Sequence, residues 1–98
     1  MAKRSPEELE AKIKEWKARN NPVTRRQAKE QMRRQGLLSQ AQPTIDAIPD
    51  NDKRERVNLL WNEELMFSRT DPTLIELASQ LGLSGEQLDQ MFVAAGEF

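Results

Sequence analysis

Two short helices joined by a tight glycine turn are predicted for residues 71–92, DPTLIELASQLGLSGEQLDQMF. Asp71 can cap a helix that begins at the following proline, because proline at the first helical position lacks an N–H that would need a partner anyway. Apolar residues recur at helical spacing up to Gly82, which supplies the left-handed residue that ends many helices. Ser84 and Gln87 then form the capping box of the next helix. This unit constrains the chain to a helical fold.

Similar start and stop signals recur upstream and predict the other helices. We expect a first helix from the Ser5-Pro6 start, capping boxes at Thr24/Gln27 and Ser39/Gln42, and a stop at Gly36. A long helix should then run from about Asp52 to Arg69, with an apolar face made of Val57, Leu60, Trp61, Leu65 and either Phe67 or Met66. The Ser39 helix would hold Pro43 in its first turn. No segment alternates with period two. The fold class is therefore all-α, a small orthogonal bundle of five to six short helices with a partly separate N-terminal helix.

The domain organisation follows from length and from one break. A chain of 98 residues forms one small domain. The sequence Asn20-Asn21-Pro22 ends the first helix, because the residue before a proline is pushed out of helical geometry. We expect residues 1–21 to form a basic helix that acts as a docking arm and residues 22–98 to form the compact helical domain.

The composition argues against catalysis. The chain has no cysteine, histidine or tyrosine, so disulfides, thiolate nucleophiles and imidazole ligands are excluded. Glu63 and Glu64 are adjacent on a helix and point in different directions, and the run at 50–52 lacks the glycine and glutamate of an EF-hand loop. We predict a non-enzyme without catalytic residues, cofactor, metal or small-molecule substrate.

No apolar run approaches the ~20 residues of a membrane span, and the first residues lack the apolar segment of a signal peptide. These features predict a soluble protein without a membrane partner that stays in the compartment where it is made.

The net charge of −1 hides an asymmetry between the two parts of the chain. Residues 1–36 carry eleven Lys or Arg against five Asp or Glu, whereas residues 37–98 carry four against eleven. The two parts can pack on each other, neighbouring copies can associate head to tail, or the basic part can meet an anionic partner. The same charge counts are also explained if the two parts simply have solvated helix faces of opposite charge.

Two groups of residues are candidates for partner binding. One is the apolar stripe of the first helix, and the other is the basic face of the second; together they comprise Leu9, Ile13, Trp16, Arg25, Arg26, Arg33 and Arg34. Trp16 stands on a highly charged helix, so it is either an anchor onto the rest of the fold or a contact for another chain. Trp61, in contrast, lies on an apolar helical face and is interpreted as a core residue.

The helix–glycine–helix unit is also similar to the first helix and turn of helix-turn-helix DNA-binding proteins. The candidate recognition helix after Ser84 contains Glu86 and Asp89 and no Lys or Arg, so it would repel the DNA backbone. The basic helix from Thr24 to Arg34 is the other nucleic-acid candidate, although it has no interleaved aromatic residues. Nucleic acid is therefore the less favoured partner.

As a whole, residues 22–95 resemble a group of small helical proteins and domains encoded in bacteriophage and prophage tail modules, near tail-fibre genes. The landmarks of the resemblance are Val23-Thr24-Arg25 with Gln27 and Ala28, Gly36-Leu37-Leu38, Ile45, Trp61, Asp71-Pro72, Leu81-Gly82-Leu83, Leu88-Asp89 and Phe92. Most of these are caps, turns and apolar positions, which report a fold more than a function. The first helix lies outside the resemblance.

The resemblance implies a non-enzymatic protein of the phage tail, found in the virion and, during assembly, in the host cytoplasm. Its partners would be other tail proteins or copies of itself. Three hypotheses stay open: a structural or adaptor protein, an assembly chaperone for tail fibres, and a small regulator that binds nucleic acid.

Overall fold

The computed structural model describes residues 6–98, apart from the side chains of residues 14, 19 and 20. The described part of the chain holds six helices: α1 (Pro6–Asn20), α2 (Arg25–Arg34), α3 (Leu38–Asp46), α4 (Asn51–Glu63), α5 (Pro72–Gln80) and α6 (Gly85–Ala95). Two short strands, β1 (Val23–Thr24) and β2 (Met66–Phe67), pair antiparallel. The predicted all-α class is confirmed. Ser5, the predicted cap of the first helix, lies outside the described residues.

Four helices begin directly after a residue whose side chain caps the helix. Thr24 and Ser84 each accept a hydrogen bond from the N–H of the glutamine three residues on, at 3.0 Å and 3.1 Å, and each glutamine side chain accepts one back, at 2.8 Å. Asp50 and Asp71 cap α4 and α5 at 2.9 Å. Each cap satisfies N–H groups that have no partner inside the helix. The predicted capping boxes at Thr24 and Ser84 and the Asp71 cap are confirmed.

Two glycines end helices by the same geometry. Gly36 and Gly82 have φ of 74° and 78°, where a side chain would strain the backbone. In each case the N–H of the residue after the glycine donates to a carbonyl five residues earlier, at 2.9 Å, and so closes the last turn. Both predicted helix ends are confirmed.

The predicted start of α3 is wrong. The helix begins at Leu38, its cap residue Leu37 makes no side-chain hydrogen bond, and Pro43 therefore lies in the second turn. The side chain of Gln42 does not return to Ser39, because it donates instead to Asp46 at 2.9 Å and to Asn58 of α4 at 3.2 Å.

The predicted long helix is also too long. α4 ends at Glu63 rather than Arg69, and Leu65, expected on its apolar face, is 72% exposed. The chain leaves the helix because Phe67 lies in the core beside Trp61, with 6.2 Å between ring centroids. Residues 66 and 67 then pair with residues 24 and 23.

One core cluster is built from all six helices and both strands. Its buried members are Ala18, Val23, Ala28, Met32, Ala41, Ile45, Ile48, Val57, Leu60, Trp61, Phe67, Leu74, Leu77, Ala78, Leu88, Met91, Phe92 and Ala95. Helix α6 lies between α1 and α2 and packs against both. Ala18 is 1% exposed, so the end of α1 belongs to the same core. The division of the chain at residue 21 stays a prediction.

An ion pair connects helix α6 with the loop that precedes α5. The Arg69 guanidinium donates to the Asp89 carboxylate at 2.6 Å, and its second nitrogen donates to the Gly85 carbonyl at 3.3 Å. The two side chains are only 11% and 15% exposed, so neither charge keeps a full hydration shell. The sequence gives no sign of this pair, because twenty residues separate its members.

We expect Arg69→Ala to lower the free energy of unfolding by about 2 kcal/mol, because it leaves the Asp89 carboxylate largely buried without its partner. The double variant Arg69→Met with Asp89→Leu should lose less than Arg69→Ala, since no unpaired charge remains. Urea unfolding followed by circular dichroism measures both. Arg56→Ala is the control, because Arg56 pairs with Asp52 where both side chains are 68% exposed, and it should cost less than about 0.5 kcal/mol. If the two alanine variants lost equal amounts of unfolding free energy, the assignment of Arg69 and Asp89 as a largely buried, stabilising pair would be contradicted.

Candidate partner-binding surfaces

The apolar stripe of α1 faces away from the rest of the protein. Leu9, Ile13 and Trp16 are 53%, 44% and 64% exposed. Ala18 is buried, and Ala11 lines a cleft beside α6. Since successive residues rotate by about 100°, the stripe and these alanines lie on roughly opposite sides of the helix. The stripe therefore does not serve as the anchor of α1 onto the body.

This arrangement matches a helix that binds another chain. Residues 9, 13 and 16 have the i, i+4, i+7 spacing by which an amphipathic helix presents its anchors to a groove. Tryptophan is enriched among the residues that dominate binding energy, because it buries a large area at a small entropic cost. The exposed stripe thus favours the second of the two interpretations of Trp16.

Arg25 has a structural task at the other candidate surface. Its guanidinium donates to the main-chain carbonyl of Asn62, in the last turn of α4. Its main-chain N–H donates to the carbonyl of Leu65 at 2.9 Å, next to the strand pair. Arg25 therefore holds the segment after α4 against the start of α2.

Arg33 and Arg34 share one carboxylate. Arg33 donates to both oxygens of Glu30, at 2.6 Å and 2.9 Å, and Arg34 donates to one of them at 3.4 Å. The hydrogen bond from Arg33 is the main reason why the pKa of Glu30 falls to about 2. Arg34 also lies 4.5 Å from the centre of the Phe98 ring. Both arginines remain about 60% exposed.

Arg26 and Lys29 differ in their surroundings. Arg26 is exposed, and within residues 6–98 no hydrogen bond or ion pair to another described residue holds it. The Lys29 ammonium lies 4.5 Å from the centre of the Trp61 ring. Partial burial, and to a lesser degree the charge of Arg25, lowers the pKa of Lys29. Of the basic residues on α2, Arg26 is thus the one most readily available to another molecule.

A wide, open groove of about 1140 Å³ runs along this face. We call it the basic groove; it is lined by Thr24, Arg25, Arg26, Gln27, Lys29, Glu30, Leu38, Leu65, Met66 and Phe98. Leu65, Met66 and Phe98 are 72%, 50% and 46% exposed, so cationic groups stand beside apolar ones. These three residues are not among the binding residues predicted from the sequence. Leu65 and Met66 reach the groove because α4 ends early, and sequence periodicity does not report that event.

Helix α6 is poorly placed to read DNA. Its exposed side faces α1, and the cleft between the two helices is lined by Glu7, Glu10, Glu86 and Asp89 together with Ala11 and Gln90. A helix in the major groove must approach two phosphate backbones, which carboxylates repel. The geometry thus adds a steric and an electrostatic obstacle to the use of α6 as a recognition helix.

No group of three or more Asp, Glu, His or Cys side chains in residues 6–98 is placed to hold a metal ion. Over the same range, no helix has the length and apolar character needed to cross a bilayer.

Comparisons with protein-family models, with curated proteins and with solved structures give no match for this chain.

Proposed function

We propose that this chain is a non-enzymatic structural or adaptor protein of a phage tail, which acts through protein–protein contacts. The observation that carries the proposal is the exposed stripe on α1. Three large apolar side chains on one helical face are 44–64% exposed although the opposite side of the same helix packs into the core. Because each of these side chains is already about half buried, a bound partner would recover roughly half of the ~1.5–3 kcal/mol that full burial contributes.

The basic groove supports the same proposal from a second face. Exposed apolar residues beside cationic groups are typical of surfaces that bind protein segments with acidic and apolar residues. The tail location rests on the resemblance of residues 22–95 to proteins of phage tail modules.

Mass spectrometry of purified particles tests the proposal. Particles of the phage or induced prophage that encodes the chain would be purified through two density gradients, with one high-salt wash between them. We expect its peptides at one or more copies per particle, in constant ratio to a major tail protein. Peptides in lysates but not in particles would instead support the assembly chaperone.

A salt titration separates the adaptor from the nucleic-acid regulator. On the basic helix α2, Arg26 and Lys29 are the main cations left for phosphate, because Arg33 and Arg34 pair with Glu30. We therefore expect this helix to bind labelled duplex DNA weakly at physiological salt. Tight binding that falls steeply with salt and is lost in Arg26→Ala would favour the regulator.

A further inference from the structure

A second exposed surface carries the charge opposite to that of the basic groove. Glu55, Leu59 and Glu63 stand at i, i+4 and i+8 on α4, so they occupy successive turns on one side of the helix. Leu59 is 61% exposed and both glutamates are exposed. In the described part of the chain, no hydrogen bond or ion pair to a described residue engages either glutamate. We call this surface, which also includes Asn58 and Asn62, the acidic ridge.

The basic groove and the acidic ridge are neighbours. The Arg25 side chain lines the groove and donates to the carbonyl of Asn62, which belongs to the ridge. Leu65 follows the end of α4 by two residues and lines the groove. One continuous face therefore carries a cationic half and an anionic half, each with exposed apolar side chains.

We propose that this face binds a second copy of the chain about a two-fold axis, with the ridge of each copy in the groove of the other. In a two-fold interface the same patch serves on both subunits, so a patch must be complementary to itself. A face with adjacent halves of opposite charge meets this condition. The half-turn that relates the two copies places the cationic half of each copy against the anionic half of the other. Leu59 would then meet the apolar side chains Leu65 and Met66 of the second copy.

Charge and position favour a second copy over an unrelated acidic protein. An unrelated acidic segment would bind in the basic groove only. The acidic ridge, including Leu59, would then stay exposed to water. A second copy covers both halves at once. The groove has ten lining residues and the ridge five, fewer than the ~20–30 per side of a standard interface. We therefore expect a weak, reversible dimer with a Kd in the micromolar range.

This inference names the partner of one surface and so rests on the proposed function, but the α1 stripe is not part of it. A monomeric chain that is still found in phage particles would overturn the dimer and leave the proposed function standing.

Charge reversal tests the dimer. Sedimentation velocity of the full chain from 1 to 300 µM should give a species of twice the 11.3 kDa of one chain, and the Kd should rise at least threefold in 0.5 M NaCl. Arg26→Glu alone, and Glu55→Lys with Glu63→Lys, should each weaken the dimer at least tenfold. An equimolar mixture of the two variants should restore association, because the carboxylate introduced at position 26 meets the ammonium groups introduced at positions 55 and 63 while the unchanged halves still pair.

Two controls complete the design. Glu86→Lys makes the same charge change on α6, away from this face, and should leave the Kd within twofold. Leu59→Ser tests the ridge without a charge change and should weaken the dimer at least fivefold; it also serves if a reversal variant fails to fold. A monomer at 300 µM, a dimer insensitive to these changes, or a mixture that fails to restore association would overturn the proposal.

Discussion

Replacing Trp61 with alanine is expected to remove about 3–5 kcal/mol of folding free energy, more than any other single change considered for this chain. The ring is 4% exposed, stacks on Phe67 and carries the Lys29 ammonium over its face. A domain of this size has a total stability of about 5–10 kcal/mol, so the variant should lose between roughly a third and all of its folding free energy. Thermal and urea unfolding followed by circular dichroism measure the loss, with a fall of at least about 15 °C in the midpoint.

Trp16→Ala is the matched control for this experiment. The side chain is 64% exposed, so its removal should change the free energy of unfolding by no more than about 0.5 kcal/mol. A loss from Trp61→Ala as small as that from Trp16→Ala would contradict the position of Trp61 in the core. A large loss from Trp16→Ala would contradict the outward orientation of the stripe.

The helix starts and ends that depend on a few adjacent residues could be predicted from the sequence. Thr24 and Ser84 each stand three residues before a glutamine, and Asp71 stands directly before a proline at the first helical position. These signals act within one turn, because a cap and the N–H that it satisfies are close in the chain. Gly36 and Gly82 act equally locally.

The features that depend on distant residues could not be predicted in this way. α4 ends at Glu63 because residues 66 and 67 pair with residues 24 and 23, more than forty positions earlier. A helical periodicity that continues past Glu63 cannot report that pairing, since strand formation depends on the partner as much as on the segment itself. The Arg69–Asp89 pair likewise depends on residues that are distant in the sequence.

The candidate binding surfaces likewise combine features that depend on neighbouring residues with features that depend on distant ones. The stripe on α1 could be identified because its spacing and its charged flanks are visible within one helix. Its outward direction could not, because that depends on the small-residue side of α1 packing against α6. The basic face of α2 was identified as four arginines. The structure assigns them different tasks: Arg25 holds the end of α4, Arg33 and Arg34 share Glu30, and Arg26 remains open to another molecule.

In binding, the largest expected effect belongs to Trp16. If the α1 stripe docks onto a tail protein, Trp16 is the largest side chain in the contact, and its truncation should cost about 2–4 kcal/mol of binding free energy. That loss corresponds to a decrease in affinity of roughly 30-fold or more. The stability of the free chain should stay nearly unchanged, which separates a binding role from a folding role.

The most direct test of the proposed function measures how much of the chain enters purified particles of the phage proposed to encode it, when Trp16→Ala replaces the wild-type sequence at limiting expression. Mass spectrometry would give the ratio of the chain to a major tail protein, and circular dichroism would give the melting midpoint of the free variant. We predict at least a tenfold fall in that ratio with a midpoint within about 3 °C of wild type. Wild-type incorporation of a variant that is folded would contradict the central claim that this chain works through the exposed face of α1.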